Sequence, residues 1–452
     1  MQAQLADDEV LVLVLDMPEW GGVAEETFVW AITKKDVRWV RSDLGRKALT
    51  REVQALRCGL DYLAWQGSGC RELTGTQYAL EDYLDGKALP FDLPRAHRLY
   101  KVLLGKFADL IKGKQLLLVL SGPLTQLPFQ VLVSEPPAND DLKRAAWLVR
   151  DHAVTVLPAV SSLAALRRIG RPSLARKPYV GFGNPLLDGP DSRYADYARQ
   201  AREKQSCAYF ARQRVARGLP AAAGSSPLQT GVTTLQMNGA TADTVLLRRF
   251  SPLPETADEL CAVAQDIAAD ANATFLGASA TEHAVKAASE SGLLAQYRFV
   301  HFATHGAMAG ELRGSADPGL VLTPPQTASE DDDGYLSASE IAALKLDADW
   351  VILSSCNTAA GAAANAEALS GLVRAFIYAQ AQALLVSHWA VDSAATVKLI
   401  TITMHEIAND KSVGGAQALR RAMLALIEKG EGFEAHPAYW APFIVVGEGA
   451  RR

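Results

Sequence analysis

Two short apolar runs constrain the fold of this chain more than any other feature. Residues 299–303 are followed by Thr304-His305-Gly306, and residues 350–355 are followed by Cys356-Asn357-Thr358. Runs of this length, rich in β-branched and aromatic residues, predict buried parallel strands. In open parallel sheets, binding sites form just beyond the carboxyl ends of the strands. The sequence therefore predicts that a histidine and a cysteine meet at one edge of a sheet.

The second half of the chain alternates strand-like and helix-like segments. Further strands are predicted at residues 179–183, 274–276, 383–387 and 442–446. Polar capping residues predict where the intervening helices begin, namely Thr256 with Glu259, Thr281, and Ser337 with Glu340. This alternation predicts an α/β fold with a mainly parallel sheet flanked by helices on both faces.

The first third of the chain is predicted to form short strands and helices. Strands are predicted at residues 9–15, 27–33, 37–41, 115–120 and 152–157, and helices at residues 49–65, 95–111 and 161–168. A basic, proline-containing stretch at residues 167–177 is the predicted boundary, so we expect one unit over residues 1–172 and a second over residues 173–452. Residues 188–249, which contain several arginines and a Gly-Ser-Ser-Pro stretch, predict a long, partly disordered insertion.

Composition narrows the class of protein. The chain has 452 residues, a net charge of -5 and five scattered cysteines without a CxxC motif. The net charge gives no reason to expect nucleic-acid binding, which favours a basic surface, and no apolar run reaches the ~18 residues of a membrane span. Unpatterned cysteines indicate a reducing cytoplasm. Cys58 and Cys70 could pair if oxidised, but we expect two ordinary thiols.

A metal site is an alternative use of the histidines. His301 and His305 are four residues apart, a spacing that suits one zinc ion on a helix. On a strand, four residues span about 13 Å at ~3.3 Å per residue, which one ion cannot bridge. Gly181-Phe182-Gly183 lacks the third glycine of a dinucleotide-binding turn. We therefore predict neither a metal nor another cofactor.

Cys356 is the candidate nucleophile. Most unpaired cysteines are small buried hydrophobic residues, but the other residues of 354–358 are polar, which indicates that the chain is leaving the core. A nearby imidazole lowers the pKa of a thiol and makes it a better nucleophile. His305, otherwise an ordinary turn histidine, fits as the base. The N–H groups of Gly306 and Cys356 fit as oxyanion donors, worth roughly 3 kcal/mol each when well placed.

A third candidate region follows the strand at residues 383–387. A carboxylate at Asp392 would select a basic substrate side chain, and Trp389 would form a wall of the pocket. Asp392 equally fits the N-cap of a helix that starts at residues 393–396, and the two roles are compatible. Other polar residues are expected to be structural or exposed: His388, His405, His436, Tyr335 and the acidic run 330–333.

Taken together, these motifs resemble those of the CHAT domain family of caspase-like proteins, over the whole chain. The segments that carry the resemblance are residues 300–306, 351–358, 369–376, 386–392 and, upstream, 121–129. The resemblance implies a caspase-like sheet and a cysteine endopeptidase of the caspase and separase type. By position, Cys356 is the nucleophile, His305 the base, Gly306 an oxyanion donor, and Asp392 the pocket acid that selects Arg or Lys.

The family also implies features beyond the site. Residues 1–172 correspond to a non-catalytic, pseudo-caspase half. Members act on protein substrates in bacterial defence and cell-death pathways, and many carry N-terminal tetratricopeptide repeats or need an activating partner. No repeat is visible here and the first predicted strand begins at Glu9, so we expect a longer protein.

Two other functions remain open at this point. A catalytically latent or dead interaction module would carry the same motifs and need a partner to order the loop after Cys356. A cysteine-dependent acyl transferase or esterase would use the same thiol and imidazole.

Overall fold

The computed structural model describes residues 1–169, 173–208, 235–238, 241–270, 272–307, 312–313, 317–354, 367–389, 393–410 and 412–449. Within them the strands are β1 (Glu9–Met17), β2 (Glu26–Ile32), β3 (Val37–Ser42), β4 (Gln115–Val119), β5 (Val154–Val156), β6 (Lys177–Gly183), β7 (Leu235–Asn238), β8 (Thr241–Ala242), β9 (Thr274–Leu276), β10 (Tyr297–Ala303), β11 (His305–Ala307), β12 (Leu312–Arg313), β13 (Gly319–Val321), β14 (Tyr335–Ser337), β15 (Trp350–Leu353), β16 (Ala383–Ser387) and β17 (Phe443–Gly447).

The α-helices of the same residues are α1 (Arg46–Cys58), α2 (Gly69–Thr74), α3 (Leu80–Leu84), α4 (Leu93–Leu103), α5 (Ala108–Ile111), α6 (Leu148–Asp151), α7 (Val160–Ile169), α8 (Ala195–Glu203), α9 (Thr244–Arg248), α10 (Glu255–Asp266), α11 (Glu282–Glu290), α12 (Ala338–Ala343), α13 (Glu367–Tyr378), α14 (Ser393–Asn409), α15 (Gly415–Lys429) and α16 (Pro437–Trp440). None of these helices combines the length and apolar character that crossing a membrane requires. Residues 209–234 of the predicted insertion lie outside the described ranges.

Eleven strands form one sheet in the order β3-β2-β1-β4-β5-β17-β16-β15-β10-β6-β9. The pairs β1–β2, β2–β3 and β16–β17 are antiparallel, and the other neighbouring pairs are parallel. The predicted α/β fold with a mainly parallel sheet is confirmed. Strands from before and after the predicted boundary meet at the parallel pair β5–β17, and the division at residues 172/173 stays a prediction.

Both faces of the central strands are covered, which explains their unbroken apolar sequence. Phe299 and Ala303 of β10 enter one buried cluster, whereas Val300 and Phe302 enter another. Successive side chains of a strand point to opposite faces, so each face contacts its own apolar layer. Burying one side chain of this size contributes about 1.5–3 kcal/mol. A continuous apolar run is therefore stable here, where an alternating one would bury polar groups.

Two of the predicted helix starts are confirmed. The Thr281 hydroxyl accepts a hydrogen bond from the Ala284 N–H at 3.0 Å and begins α11. Ser337 and Glu340 form a reciprocal capping box at the start of α12, in which each side chain accepts from the other's backbone N–H. These caps were predictable because their partners lie within four residues along the chain.

The capping role predicted for Thr256 with Glu259 is wrong. Helix α10 begins at Glu255, and the Thr256 hydroxyl accepts from the Asn184 N–H at 2.8 Å. The Glu259 side chain is buried, with Oε1 3.1 Å from Nε2 of His301 on β10. Glu259 therefore contacts a distant strand instead of capping its own helix.

The predicted ordinary thiols at Cys58 and Cys70 are also wrong. Cys58 and Cys70 form one disulfide, and Cys207 and Cys261 form a second. The Cα atoms of the two pairs are 5.7 and 5.4 Å apart, within the span of a disulfide. Folding brings these cysteines together across 12 and 54 residues of sequence, which spacing alone does not reveal. The cytoplasmic location stays a prediction.

The exposed loop predicted around Tyr335 is partly wrong. Asp333 and Tyr335 are 8% and 3% exposed. Tyr335 opens β14, which pairs with β13 in a small sheet of order β11-β13-β14. Asp333 Oδ2 accepts from the Ala242 N–H at 2.6 Å. This segment is ordered because it completes the sheet to which His305 belongs.

Candidate active site at the sheet edge

His305 lies where the chain leaves the main sheet. Strand β10 ends at Ala303, and His305 begins β11, where it pairs with Val321 of β13. Thr304 between them anchors the change of direction, because its hydroxyl donates to the Val321 carbonyl. His305 is thus beyond the carboxyl end of β10, the edge at which parallel sheets place their sites. Gly306 is the next residue of β11, opposite Leu320.

The imidazole of His305 is oriented by a backbone carbonyl. Its Nε2 lies 2.7 Å from the Ser251 oxygen, so Nε2 carries the proton and donates it to that carbonyl. The ring also packs against Phe250, with centroids 5.3 Å apart. In this tautomer the lone pair of the neutral ring is on Nδ1. The role of Ser251 was not predictable from the sequence, because a main-chain acceptor leaves no side-chain signature.

Burial determines the charge of His305. The side chain is 4% exposed. Burial lowers the pKa of His305 to about 4, although the bond to Ser251 opposes the change. The imidazole is therefore neutral near pH 7, the form that can accept a proton from a thiol.

The neighbouring strand leads directly to Cys356. β15 is parallel to β10, with Leu353 opposite Phe302, and the Ser354 N–H donates to the Phe302 carbonyl at 3.2 Å. Cys356 follows Ser354 by two residues, which extend at most about 7 Å. Cys356 itself lies outside the described residues, so its separation from His305 stays a prediction.

A second histidine has a separate set of partners. His301 is fully buried, with Nδ1 2.9 Å from the Tyr179 hydroxyl and Nε2 2.9 Å from the Ser354 hydroxyl. Glu259 Oε1 is on the same Nε2 side at 3.1 Å. A serine triad needs its serine and carboxylate on opposite ring nitrogens, so this group is not one. It instead links α10 to the end of β15.

The predicted pocket region is described only in part. Trp389 follows β16, is 1% exposed, and donates from Nε1 to the Ala438 carbonyl at 3.0 Å. Asp392 lies outside the described residues. The substrate-binding roles of Trp389 and Asp392, and the oxyanion role of Gly306, stay predictions.

The buried histidines make stability depend on pH. Burial lowers the pKa of His388 to about 3 and that of His436, like that of His305, to about 4. The unfolded chain binds these protons near pH 6.5, so stability should fall from about pH 6.5 towards 4, by about 1.4 kcal/mol per pH unit for each histidine. Burial raises the pKa of Glu282 to about 8. The folded protein therefore holds a proton on this carboxyl that the unfolded chain releases, which opposes the effect of the histidines. It is one group against three, so the histidines decide the direction.

Urea unfolding at several pH values measures this dependence. His388→Gln should reduce the slope of the free energy of unfolding against pH by the contribution of one histidine, about 1.4 kcal/mol per pH unit. A matched change at the exposed His405 should leave this slope unchanged. A wild-type slope of zero or of opposite sign below pH 6.5 would contradict the assignment of neutral buried histidines.

Comparison with known proteins agrees with the motifs. The sequence matches the CHAT domain over residues 93–448, well over half of the chain. Tetratricopeptide repeat protein 28 is 27% identical over 225 residues in both Mus musculus and Homo sapiens. These matches cover 44% of this chain but only 9% and 8% of the two proteins, so the chain spans less than a tenth of the relatives' length.

Among solved structures, a chain of the Saccharomyces cerevisiae separase–securin complex is similar over 99% of this chain and 30% of its own length, with 10% identity and a TM-score of 0.41. The sequence match to the CHAT domain decides the family. This chain belongs to the CHAT domain family.

Proposed function

We propose that this chain is a cysteine endopeptidase in which Cys356 attacks the scissile carbonyl and His305 accepts the thiol proton. The observation that carries the proposal is the His305–Ser251 hydrogen bond, which orients a neutral imidazole at the edge where β15 leads to Cys356. Membership of the CHAT family supports the same reaction class.

The reaction follows from these groups in two steps. Nδ1 of His305 takes the proton as the Cys356 sulfur bonds to the carbonyl carbon, and the resulting imidazolium is stabilised by Nε2–H donation to Ser251. The imidazolium then protonates the leaving amine, which leaves an acyl-enzyme. The same ring activates the water that hydrolyses it. The N–H groups of Gly306 and Cys356 would bind the oxyanion.

We propose that Asp392 directs cleavage to bonds after Arg or Lys. Fluorogenic peptides ending in Arg, Lys, Asp or Leu, together with a small ester, test this. Asp392→Ala should lower kcat/KM for the Arg peptide on the order of 10²-fold, because the proposed carboxylate–guanidinium pair with the substrate would be lost. Alkylation of Cys356 by iodoacetamide should be unchanged. Equal losses for the Arg and Leu peptides would contradict this pocket role, and turnover of the ester alone would favour an esterase or acyl transferase.

A latent form is the second candidate, and the burial of His305 favours it. A side chain that is 4% exposed must become more accessible before it reaches a substrate. Opening by a protein partner would supply that access. An Arg-ending chloromethyl ketone tests this: labelling of Cys356 only after a candidate partner is added supports latency, and equal labelling without it argues against latency.

The biological setting is proposed from the family. We propose that the substrate is a protein, that tetratricopeptide repeats or an activating partner control access, and that the chain acts in the cytoplasm in bacterial defence or cell-death signalling. The names of the mammalian relatives support the link to tetratricopeptide repeats. We also propose that residues 1–172 are a non-catalytic half.

A further inference from the structure

Arg57 extends from α1 to the end of β16. It lies in the last turn of α1, and its side chain is 13% exposed. Nη1 donates to the Gln126 carbonyl at 3.0 Å, and Nη2 donates to the His388 carbonyl at 3.3 Å. Both acceptors are main-chain groups far from Arg57 in sequence. The guanidinium therefore links α1 and Gln126, in the first part of the chain, to the segment that follows β16.

The charge of Arg57 is balanced where it is buried. Nη2 lies 3.0 Å from Asp61 Oδ2, and Asp61 is 6% exposed. Asp61 is itself fixed, because Oδ1 accepts from the Leu63 N–H at 3.0 Å. A buried guanidinium with a paired carboxylate keeps its donors in one geometry. Arg57 is thus oriented before it contacts His388.

The two residues after β16 are fixed from two directions. The guanidinium carbon of Arg57 is 6.0 Å from the centre of the Trp389 ring, a cation–π distance. From the other side, the His388 N–H donates to the Pro442 carbonyl at 2.8 Å, and Trp389 donates to the Ala438 carbonyl at 3.0 Å. Removal of Arg57 would take away the contacts from α1 and leave those to Pro442 and Ala438.

We propose that Arg57 is a positioning residue: by fixing His388 and Trp389 it holds the segment that leads in sequence to Asp392, and so controls how the substrate side chain is bound. This inference rests on the proposed peptidase function. Lysine cannot replace Arg57, because a single ammonium lacks the planar fork that contacts Gln126, Asp61 and His388 together.

A matched control exists on the same side of the molecule. The Arg95 side chain is 15% exposed and pairs with Glu52 and Asp92 at 2.8 and 3.0 Å. It resembles Arg57 in burial and charge. Its partners, however, lie on α1 and at the start of α4, so Arg95 makes neither of these ion pairs with the segment after β16. Arg57→Met and Arg57→Lys are therefore compared with Arg95→Met, which reports the general cost of losing a mostly buried arginine.

Hydrogen exchange tests the positioning without requiring catalysis. Peptides covering residues 383–389 should exchange at least ~10-fold faster in both Arg57 variants, because protection depends on local opening. Arg95→Met should leave these peptides unchanged. Equal exchange in wild type and Arg57→Lys, the milder change, would overturn the inference whether or not the protein cleaves peptides.

Kinetics then test the effect on the substrate. Arg57→Met should lower kcat/KM for the Arg peptide on the order of 10- to 100-fold, mainly through KM, as expected for lost charged hydrogen bonds. Iodoacetamide alkylation of Cys356 should stay within about 2-fold, because that reagent needs no pocket. A loss no larger than that of Arg95→Met would overturn the inference. A wild-type protein that cleaves no peptide would contradict the proposed function instead, and hydrogen exchange would still decide the role of Arg57.

Discussion

Replacing Cys356 by alanine is expected to abolish cleavage of fluorogenic peptides, and replacing His305 by alanine to lower kcat/KM on the order of 10²- to 10⁴-fold. Without the sulfur no acyl-enzyme forms. Without the imidazole the thiol must lose its proton to water. The two losses should not add in the double variant, because the groups act as a unit.

The controls separate chemistry from folding. His405, the exposed histidine of α14, is the matched control for His305, and His405→Ala should retain wild-type kinetics. Urea midpoints of all variants show whether the fold persists. Cleavage by Cys356→Ala at the wild-type rate would rule out the mechanism, and an unaffected His305→Ala would remove the histidine from it.

Replacing Arg167 by methionine is expected to lower the free energy of unfolding by about 3–5 kcal/mol, the cost of breaking a buried ion pair. Arg167 of α7 contacts Glu9 Oε1 at 2.5 Å and Glu448 Oε2 at 2.9 Å. The carboxylate side chains are only 1% and 5% exposed. Glu9 begins β1 and Glu448 follows β17, so this cluster joins the two sets of strands. Its loss would remove this cation from two buried carboxylates.

Urea unfolding of Arg167→Met measures this cost. Arg199→Met is the matched control, because the Arg199 side chain is 64% exposed and its ion pairs with Asp196 and Glu203 are on the surface. That control should change stability by less than about 1 kcal/mol. Adding Glu9→Gln to Arg167→Met should recover part of the loss. Equal midpoints for the two arginine variants would show that the cluster contributes nothing to stability.

Local patterns in the sequence were sufficient for the fold class. The strands at residues 299–303 and 350–353 were predictable because a strand covered on both faces must be apolar throughout. Thr281 and the Ser337–Glu340 box were predictable because a capping side chain bonds to a backbone group within one turn.

Contacts between distant segments were not predictable in the same way. The Glu259 carboxylate faces His301 instead of capping its helix, and Cys207 pairs with Cys261 across 54 residues. The role of the Ser251 carbonyl depends on the path of the backbone rather than on its side chain. Each needs the tertiary fold, because neither partner carries a local signal of the other.

The most direct test of the shared thiol–imidazole site is to locate the adduct of an Arg-ending chloromethyl ketone by peptide mass spectrometry. The account predicts a single modified residue, Cys356, in the wild-type protein or its partner-activated form, and labelling on the order of 10²-fold slower in His305→Ala. Modification at another residue, or equal labelling rates in the two proteins, would contradict it.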